Sequence, residues 1–314
     1  MAGIGVILNR KAGRPHRTGS RFTQNLRDLL RDPDNLRETN SLDEIDDVIK
    51  TFLERNIDIL GICGGDGTNH YTLSSLVRVY AGQPLPTVAF LSGGTHNAHA
   101  ASAGIKGDPE SLLGKIVQNH NNGDGPETFL RKMLQVDDGH AVRYGFSMAT
   151  GFMYRFYREL YIRKNDSPLS VAALFSRWLG SFAVRGKLIR HMFQLEPGKI
   201  TISNKQLPWT ENNGISCSTM EKLGMGFTPY PRANETIDKF HTAAMRIKTW
   251  AFIKLMWDYK HGHVPQHPDQ VNTISDEILL ESHSPVSYVM DGEIYDGSSR
   301  LLVRTGPQFR LIKP

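Results

Sequence analysis

IDILGIC, from Ile57 to Cys63, runs straight into GGDGT, from Gly64 to Thr68. The first part is a short apolar run closed by glycines, which reads as a buried strand. After the second part Tyr71, Leu73, Leu76, Val77 and Tyr80 recur at helical spacing. The unit is therefore strand, glycine turn, helix. Consecutive glycines let a backbone come close to a polyphosphate. Their amides, together with the helix N-terminus, offer donors to negative oxygens. Asp66 can hold Mg2+ or orient an attacking hydroxyl, and Thr68 can donate to a phosphate oxygen. A tight turn alone would account for two or three glycines; five residues of this chemistry at the carboxyl end of a strand go beyond it. No Gly-Lys-Ser/Thr follows, so this is not a Walker A loop.

Working outward, the same alternation fills the first 120 or so residues. Gly3 to Leu8 (GIGVIL) reads as a first buried strand. Phe22, Leu26, Leu29 and Leu30 mark a helix. Ser41 and Glu44 form an S-x-x-E capping box, followed by Ile45, Val48, Ile49, Phe52 and Leu53 on one helix face. Thr87 to Leu91 (TVAFL) is another strand, ending in Ser92-Gly93-Gly94-Thr95-His96-Asn97. Alternating strands and helices predict an α/β layer with a mostly parallel sheet. Ligands of such sheets bind at the carboxyl ends of the strands, and both glycine turns fall there.

The pattern changes after the loop-like NNGDGPE, Asn121 to Glu127. Met133 to Val136 and Ala141 to Phe146 flank Asp138-Gly139, a hairpin signature. Lys199 to Ser203, Val286 to Met290 and Leu301 to Arg304 also read as strands. The expectation is an α/β nucleotide-binding domain over 1–127, then an antiparallel β domain over 128–300 with a helical insertion near 152–192. Asp291-Gly292-Glu293 closes the strand Ser287 to Met290, where a carboxylate can accept a proton from a hydroxyl; alone, the tripeptide reads as a hairpin.

Composition narrows the class. The 314 residues are 39% hydrophobic and 22% charged, as in an ordinary globular protein. A net charge of +5 suits an anionic partner without choosing one. No nucleic-acid recognition motif is present, so a nucleic-acid partner is not expected. Cys63 and Cys217 form no finger spacing, and a reduced, cytosolic setting is the default. The first eight residues lack the pattern of a signal peptide, and no run of about 18 apolar residues predicts a membrane span.

Taken together, GGDGT, the second glycine turn and Asp291-Gly292-Glu293 resemble the diacylglycerol kinase catalytic-domain superfamily, which includes bacterial lipid kinases, sphingosine kinases and ceramide kinases. The resemblance covers nearly the whole chain. Asn9 to Gly13 (NRKAG) is similar to the family's first nucleotide loop, and Thr39 falls where the family has a nucleotide-contacting Thr. Gly64, Gly65, Asp66, Gly67 and Thr68 match the phosphate loop, and Gly94, Thr95 and Asn97 match the second. Gly224 to Pro229 (GMGFTP) is similar to the stretch before the later strands. Glu293 matches the family's general base. The resemblance implies a two-domain lipid kinase architecture: an α/β nucleotide-binding domain and a β-sandwich, with the last strands, near 301–314, returning to the first domain. It implies ATP and Mg2+ as cofactors, with Asp66 a metal ligand, and Glu293 and Asp66 as catalytic residues. A diacylglycerol-, ceramide- or sphingoid-type lipid with a primary hydroxyl would be the acceptor, reached from the cytoplasm at the membrane surface. Dimers are common among such kinases, and the oligomeric state stays open.

The chain also departs from the family. Asn69, His70 and Tyr71 stand where Leu-Asn-Glu is usual; His96 and Ala98 replace a Gly and an Asp. The Asp-Gly expected near Ile237 to His241 is missing, which leaves the family's structural Mg2+ site without its usual residues. These changes keep two alternatives in view: an NAD kinase-like small-molecule kinase, and a degenerate protein that binds nucleotide or lipid without turnover. Phe152 to Gln194 mixes large apolar residues with Arg and Lys and contains only Glu159 and Asp166 as acids. Phe175, Trp178, Leu179 and Phe182 could share one helix face, with Arg177, Arg185 and Lys187 near it. The segment fits either a bilayer interface or a core helix with a solvated basic face. His261, His263 and His267 match no standard zinc spacing and read as a polar loop. His70, His96 and His99 are carried by the phosphate loops.

Overall fold

In the computed structural model of the chain, residues 3–11, 13–94, 97–162, 173–174, 176–177, 180–181, 186–222 and 227–313 are described. The chain divides into two compact units. One comprises Met1–Arg131 with Pro307–Pro314, the other Lys132–Gly306.

The first unit contains β1 (Ile4–Asn9), α1 (Gly13–Leu29), a 3-10 turn (Pro33–Asn35), β2 (Leu36–Thr39), α2 (Ile45–Glu54), β3 (Ile59–Cys63), α3 (Asp66–Tyr80), β4 (Thr87–Phe90), α4 (Ala98–Ser102) and α5 (Pro109–Asn122). β1 pairs in parallel with β2 and β3, and β3 pairs in parallel with β4. The end of the last strand joins the same sheet, with Leu311 opposite Val88. β3 is buried along its whole length, as a strand covered by helices on both faces must be. The helix after Ser41 begins differently from its predicted box. Glu44, not Ser41, is the N-cap. The Glu44 carboxylate reaches back to the Asn40 amide at 2.8 Å, and a turn from Leu42 to Ile45 leads into α2. The reach-back that the motif predicts is kept, but it lands one residue earlier.

Chain order continues with β5 (Thr128–Asp137), β6 (Val142–Gly145), β7 (Ser147–Thr150), α6 (Gly151–Ile162), α7 (Lys187–Met192), β8 (Glu196–Pro197), β9 (Lys199–Ile202), β10 (Lys205–Gln206), β11 (Glu211–Asn212), β12 (Gly214–Ser218), β13 (Phe240–Met245), α8 (Thr249–His261), β14 (Gln270–Ser275), β15 (Glu277–Glu281), β16 (Ser287–Met290), β17 (Glu293–Asp296) and β18 (Arg300–Ile312). In the second unit β14-β13-β12-β7-β16-β17 form an antiparallel sheet. β10, β9, β15 and β18 form an antiparallel run, and β5 and β6 make the predicted hairpin. Between these layers lies one apolar core, to which Leu134, Met148, Ile215, Ile278, Tyr288 and Val303 contribute. This is sandwich packing, with side chains from facing sheets interdigitated. A second core joins α6, α7 and α8 through Phe152, Phe156, Met192, Phe252 and Leu255. The sequence reading placed α6 and α7 and missed α8. Phe175, Trp178, Leu179, Phe182 and Arg185 lie outside the described residues. No helix among the described residues is long and apolar enough to cross a membrane.

His241, on β13, is fully buried. Burial pushes its imidazole down to about 4 from the ordinary 6.5, and its Nδ1 accepts the Arg232 amide at 3.3 Å. The ring therefore stays neutral in the folded unit near neutral pH. Below pH 6.5 the unfolded chain takes up a proton that the folded one refuses, so stability drains away as pH falls from 6.5 toward about 4. The expected loss is on the order of 1 kcal/mol per pH unit in that window. Urea unfolding of the parent and of His241→Gln at pH 7 and pH 5 checks it: the variant should lose less on acidification. Parallel losses in the two proteins would assign the acid sensitivity to other groups.

Candidate active site

Parallel pairing brings the ends of the strands of the first unit together. Asn9 closes β1 opposite Thr39, the last residue of β2. The Asn9 side-chain amide donates to Thr68 Oγ1 at 2.8 Å, and its carbonyl oxygen accepts the Lys11 amide at 2.9 Å. Asn9 thus ties the first loop to the phosphate loop, 59 residues on. Asp66 opens α3, where the helix dipole favours a negative charge.

The second glycine turn lies directly on the first. A Cβ on Gly94 would overlap Gly65 Cα and stand 2.9 Å from Asn97 Oδ1. Only two bare backbones can approach in this way. Asn97 locks the turn from within: its Oδ1 accepts the Gly94 amide and its Nδ2 donates to the Gly94 carbonyl, both at 2.8 Å. Next to it, the His99 amide donates to Asp66 Oδ1 at 2.9 Å, and the buried His99 ring places Nδ1 3.7 Å from the same oxygen. The second loop therefore holds the one carboxylate of the first. Thr95 and His96 lie outside the described residues.

Asn9, Thr39, Gly64, Gly65, Asp66, Gly67, Thr68, Gly94 and Asn97 thus converge at the carboxyl edge of one sheet. The paired glycine backbones and the α3 N-terminus fit a polyphosphate. Asp66, with phosphate oxygens and water, would suit Mg2+, which needs few protein carboxylates. Among the described residues no group of three or more His, Cys, Asp or Glu could hold a metal by itself. His261 ends α8, His263 Nδ1 lies 3.7 Å from Asp258, and His267 Nδ1 accepts the Asp269 amide.

Glu293 belongs to the second unit. It is the first residue of β17, paired with Met290. The two residues between them, Asp291 and Gly292, have φ of 49° and 92°, the left-handed pair that a two-residue hairpin turn requires. Asp291 anchors the turn and also lines the neighbouring pocket. Its carboxylate accepts the Phe146 amide at 2.9 Å, the Ser147 amide at 2.8 Å and the Ser147 hydroxyl at 3.1 Å. The hairpin that carries Glu293 is thereby pinned to the start of β7. Beside it is a small pocket whose walls include Met148, Met153, Tyr157, Tyr230 and Val289. The tripeptide was legible in the sequence; the division of labour within it was not, because the partners of Asp291 lie 144 and 145 residues away. Of the GMGFTP stretch, Gly224 to Gly226 lie outside the described residues, and the Thr228 amide donates to the Tyr259 carbonyl at 3.0 Å.

An α/β unit with paired glycine turns, followed in the chain by an antiparallel sandwich, defines a class of two-domain folds. Residues 3–123 match the model of the diacylglycerol kinase catalytic domain. Among solved structures it is similar to a diacylglycerol kinase from Bacillus anthracis strain Sterne, with TM-score 0.67, 15% identity, and 99% of this chain and 97% of that one covered. A putative diacylglycerol kinase from the same organism gives TM-score 0.70 at 15% identity over the same shares. Yeast NADH kinase in complex with NADH is a more distant likeness, with TM-score 0.51, 12% identity, and 100% and 84% covered. At these identities the likeness is one of fold. No curated protein matches the sequence.

Proposed function

We propose that the protein transfers the γ-phosphate of ATP to a primary hydroxyl of a diacylglycerol-, ceramide- or sphingoid-type lipid, working from the cytoplasmic side at the membrane surface. The observation that carries this reading is the closed pair of glycine turns, in which Gly94 rests on Gly65 and Asn9 is bonded to Thr68. Phosphoryl transfer asks a protein chiefly for positioning and charge neutralisation, and the backbone amides of the two loops would supply part of both. In this reading the backbone of Gly64 to Thr68, with Gly94, Thr95 and Asn97, holds the phosphates. Asp66 holds Mg2+, which when bound neutralises phosphate charge, and His99 keeps the Asp66 carboxylate in place. Glu293 takes the proton of the lipid hydroxyl.

The deciding experiment is transfer of labelled phosphate from Mg-ATP onto diacylglycerol, ceramide, sphingosine and monoacylglycerol in mixed micelles, with NAD as a further acceptor. Labelling of one lipid class is the expected outcome. Labelling of NAD alone would move the acceptor to a small molecule, and ATP binding without any labelled product would make the chain a non-catalytic binder. Gly94→Ala tests the cradle. The added methyl must push the two loops apart, and Mg-ATP binding by calorimetry should weaken at least about tenfold, the equivalent of about 1.4 kcal/mol. Gly125→Ala is the control, since a Cβ there meets nothing within 4 Å. Equal affinity in both variants would remove the second loop from the nucleotide site.

A further inference from the structure

Two of the chain's four tryptophans stand on one helix, and both face outward. α8 buries Ala251, Phe252, Leu255 and Tyr259 against the core it shares with α6 and α7. Its opposite face carries Trp250, Lys254, Trp257 and His261, spaced by four, three and four residues, which is a single stripe along a helix. Trp250 is 53% exposed and Trp257 65%. Lys254 Nζ lies 5.0 Å from the Trp250 ring centre, and the Trp257 and His261 rings are 4.2 Å apart. Lys248 and Lys260 are also exposed, and no side chain exposed between residues 248 and 261 is acidic. The nearest acid, Asp258, is half-buried and faces His263 at 3.7 Å.

An ordinary solvated face has no use for two large indoles. Indoles set among lysines, on a helix whose other face is firmly anchored, have the composition of a surface that lies in a lipid headgroup layer: the rings enter the boundary and the ammonium groups stay at phosphate level. A second copy of the chain is a poorer occupant, because a two-fold contact through this stripe would set lysine against lysine with only the half-buried Asp258 of this helix to offset them. We propose that the outer face of α8 docks the protein onto an anionic lipid bilayer. The proposal supplies a membrane contact that the lipid-kinase reading needs, but it stands on the surface of the second unit alone.

The test uses the full chain with vesicles of phosphatidylcholine, with and without phosphatidylglycerol. The parent should sediment with the anionic vesicles, shift its tryptophan emission to the blue on binding, and release as salt screens the lysines. Trp250→Ala/Trp257→Ala should lose at least about tenfold in vesicle affinity, as removal of two buried indole anchors implies, with an unchanged thermal midpoint. Lys254→Glu should weaken binding to anionic vesicles only. Equal sedimentation of parent and double variant, absence of parent binding, or loss of a concentration-dependent dimer in place of vesicle binding would each overturn the proposal. Phosphorylation of a short-chain, water-soluble acceptor is measured in parallel. It should survive in the double variant, so failure of the docking face and failure of the kinase reading give different results.

Discussion

Glu293→Gln is expected to slow lipid phosphorylation by about 10²–10⁴-fold, the usual contribution of a positioned general base, while ATP affinity stays that of the parent. The amide keeps the shape of the side chain and its place at the start of β17, opposite Met290, but cannot accept the proton of an alcohol. The turn before it is held by Asp291, whose carboxylate accepts two backbone amides and a hydroxyl, and that anchoring does not involve Glu293. A fall in kcat with constant KM for ATP is therefore the expected split. Near-parental turnover in the variant would take Glu293 out of the reaction and return the tripeptide to a plain hairpin.

The second large effect is on stability. Asp138 is fully buried, and its carboxylate is the hub of a polar network inside the sandwich. It accepts the Tyr288 hydroxyl at 2.8 Å, the His140 amide at 2.9 Å and the Ala141 amide at 2.8 Å, and it pairs with the Arg143 guanidinium. Arg143 in turn lies 4.4 Å over the Tyr295 ring, and Tyr295 stacks on Tyr288. Burial pushes the Tyr288 phenol up to about 12, so it stays a donor at any ordinary pH. Asp138→Ala strands a buried hydroxyl, two turn amides and a partly buried cation at once. Removing one partner of such a pair costs about 3–5 kcal/mol, and the low end is expected here because the Arg143 side chain is 27% exposed. Asp138→Asn, whose Oδ1 can still accept the two turn amides while its Nδ2 takes the place of the oxygen that met Tyr288 and Arg143, should lose less. Urea unfolding at pH 7 separates the two variants. A loss below about 1 kcal/mol for the alanine variant would mean that water or a rearranged turn takes over the carboxylate's role.

Much of the first unit was legible before any tertiary contact was known. β1, β3 and β4 are short apolar runs and α3 carries apolar residues at helical spacing, so periodicity alone located them, whereas β2, with the sequence LRET, has no such run. The glycine turns were legible for the same kind of reason: a backbone that must approach phosphate, or another backbone, excludes every side chain, and this exclusion is written at single positions. α8 escaped because its sequence, TWAFIKLMWDYKH, is apolar on both faces. Trp250 and Trp257 point outward and blur the helical period that Phe252, Leu255 and Tyr259 would otherwise set. The Ser41 box failed by one residue because the turn ahead of α2 decides which amide the Glu44 carboxylate meets.

The sequence by itself determined β1, β3, α3 and β4, the two glycine turns and the hairpin that carries Glu293, because local burial period and backbone freedom belong to a few adjacent residues. Tertiary structure alone decided which polar atoms those elements meet: Asp66 with His99, Asn9 with Thr68, Asp291 with Ser147, and Asp138 with a tyrosine 150 residues away. Such pairings depend on strand register and on the packing of distant elements. A carboxylate in a turn has the same local pattern whether it faces water, a backbone amide or a substrate, and only the fold selects among them.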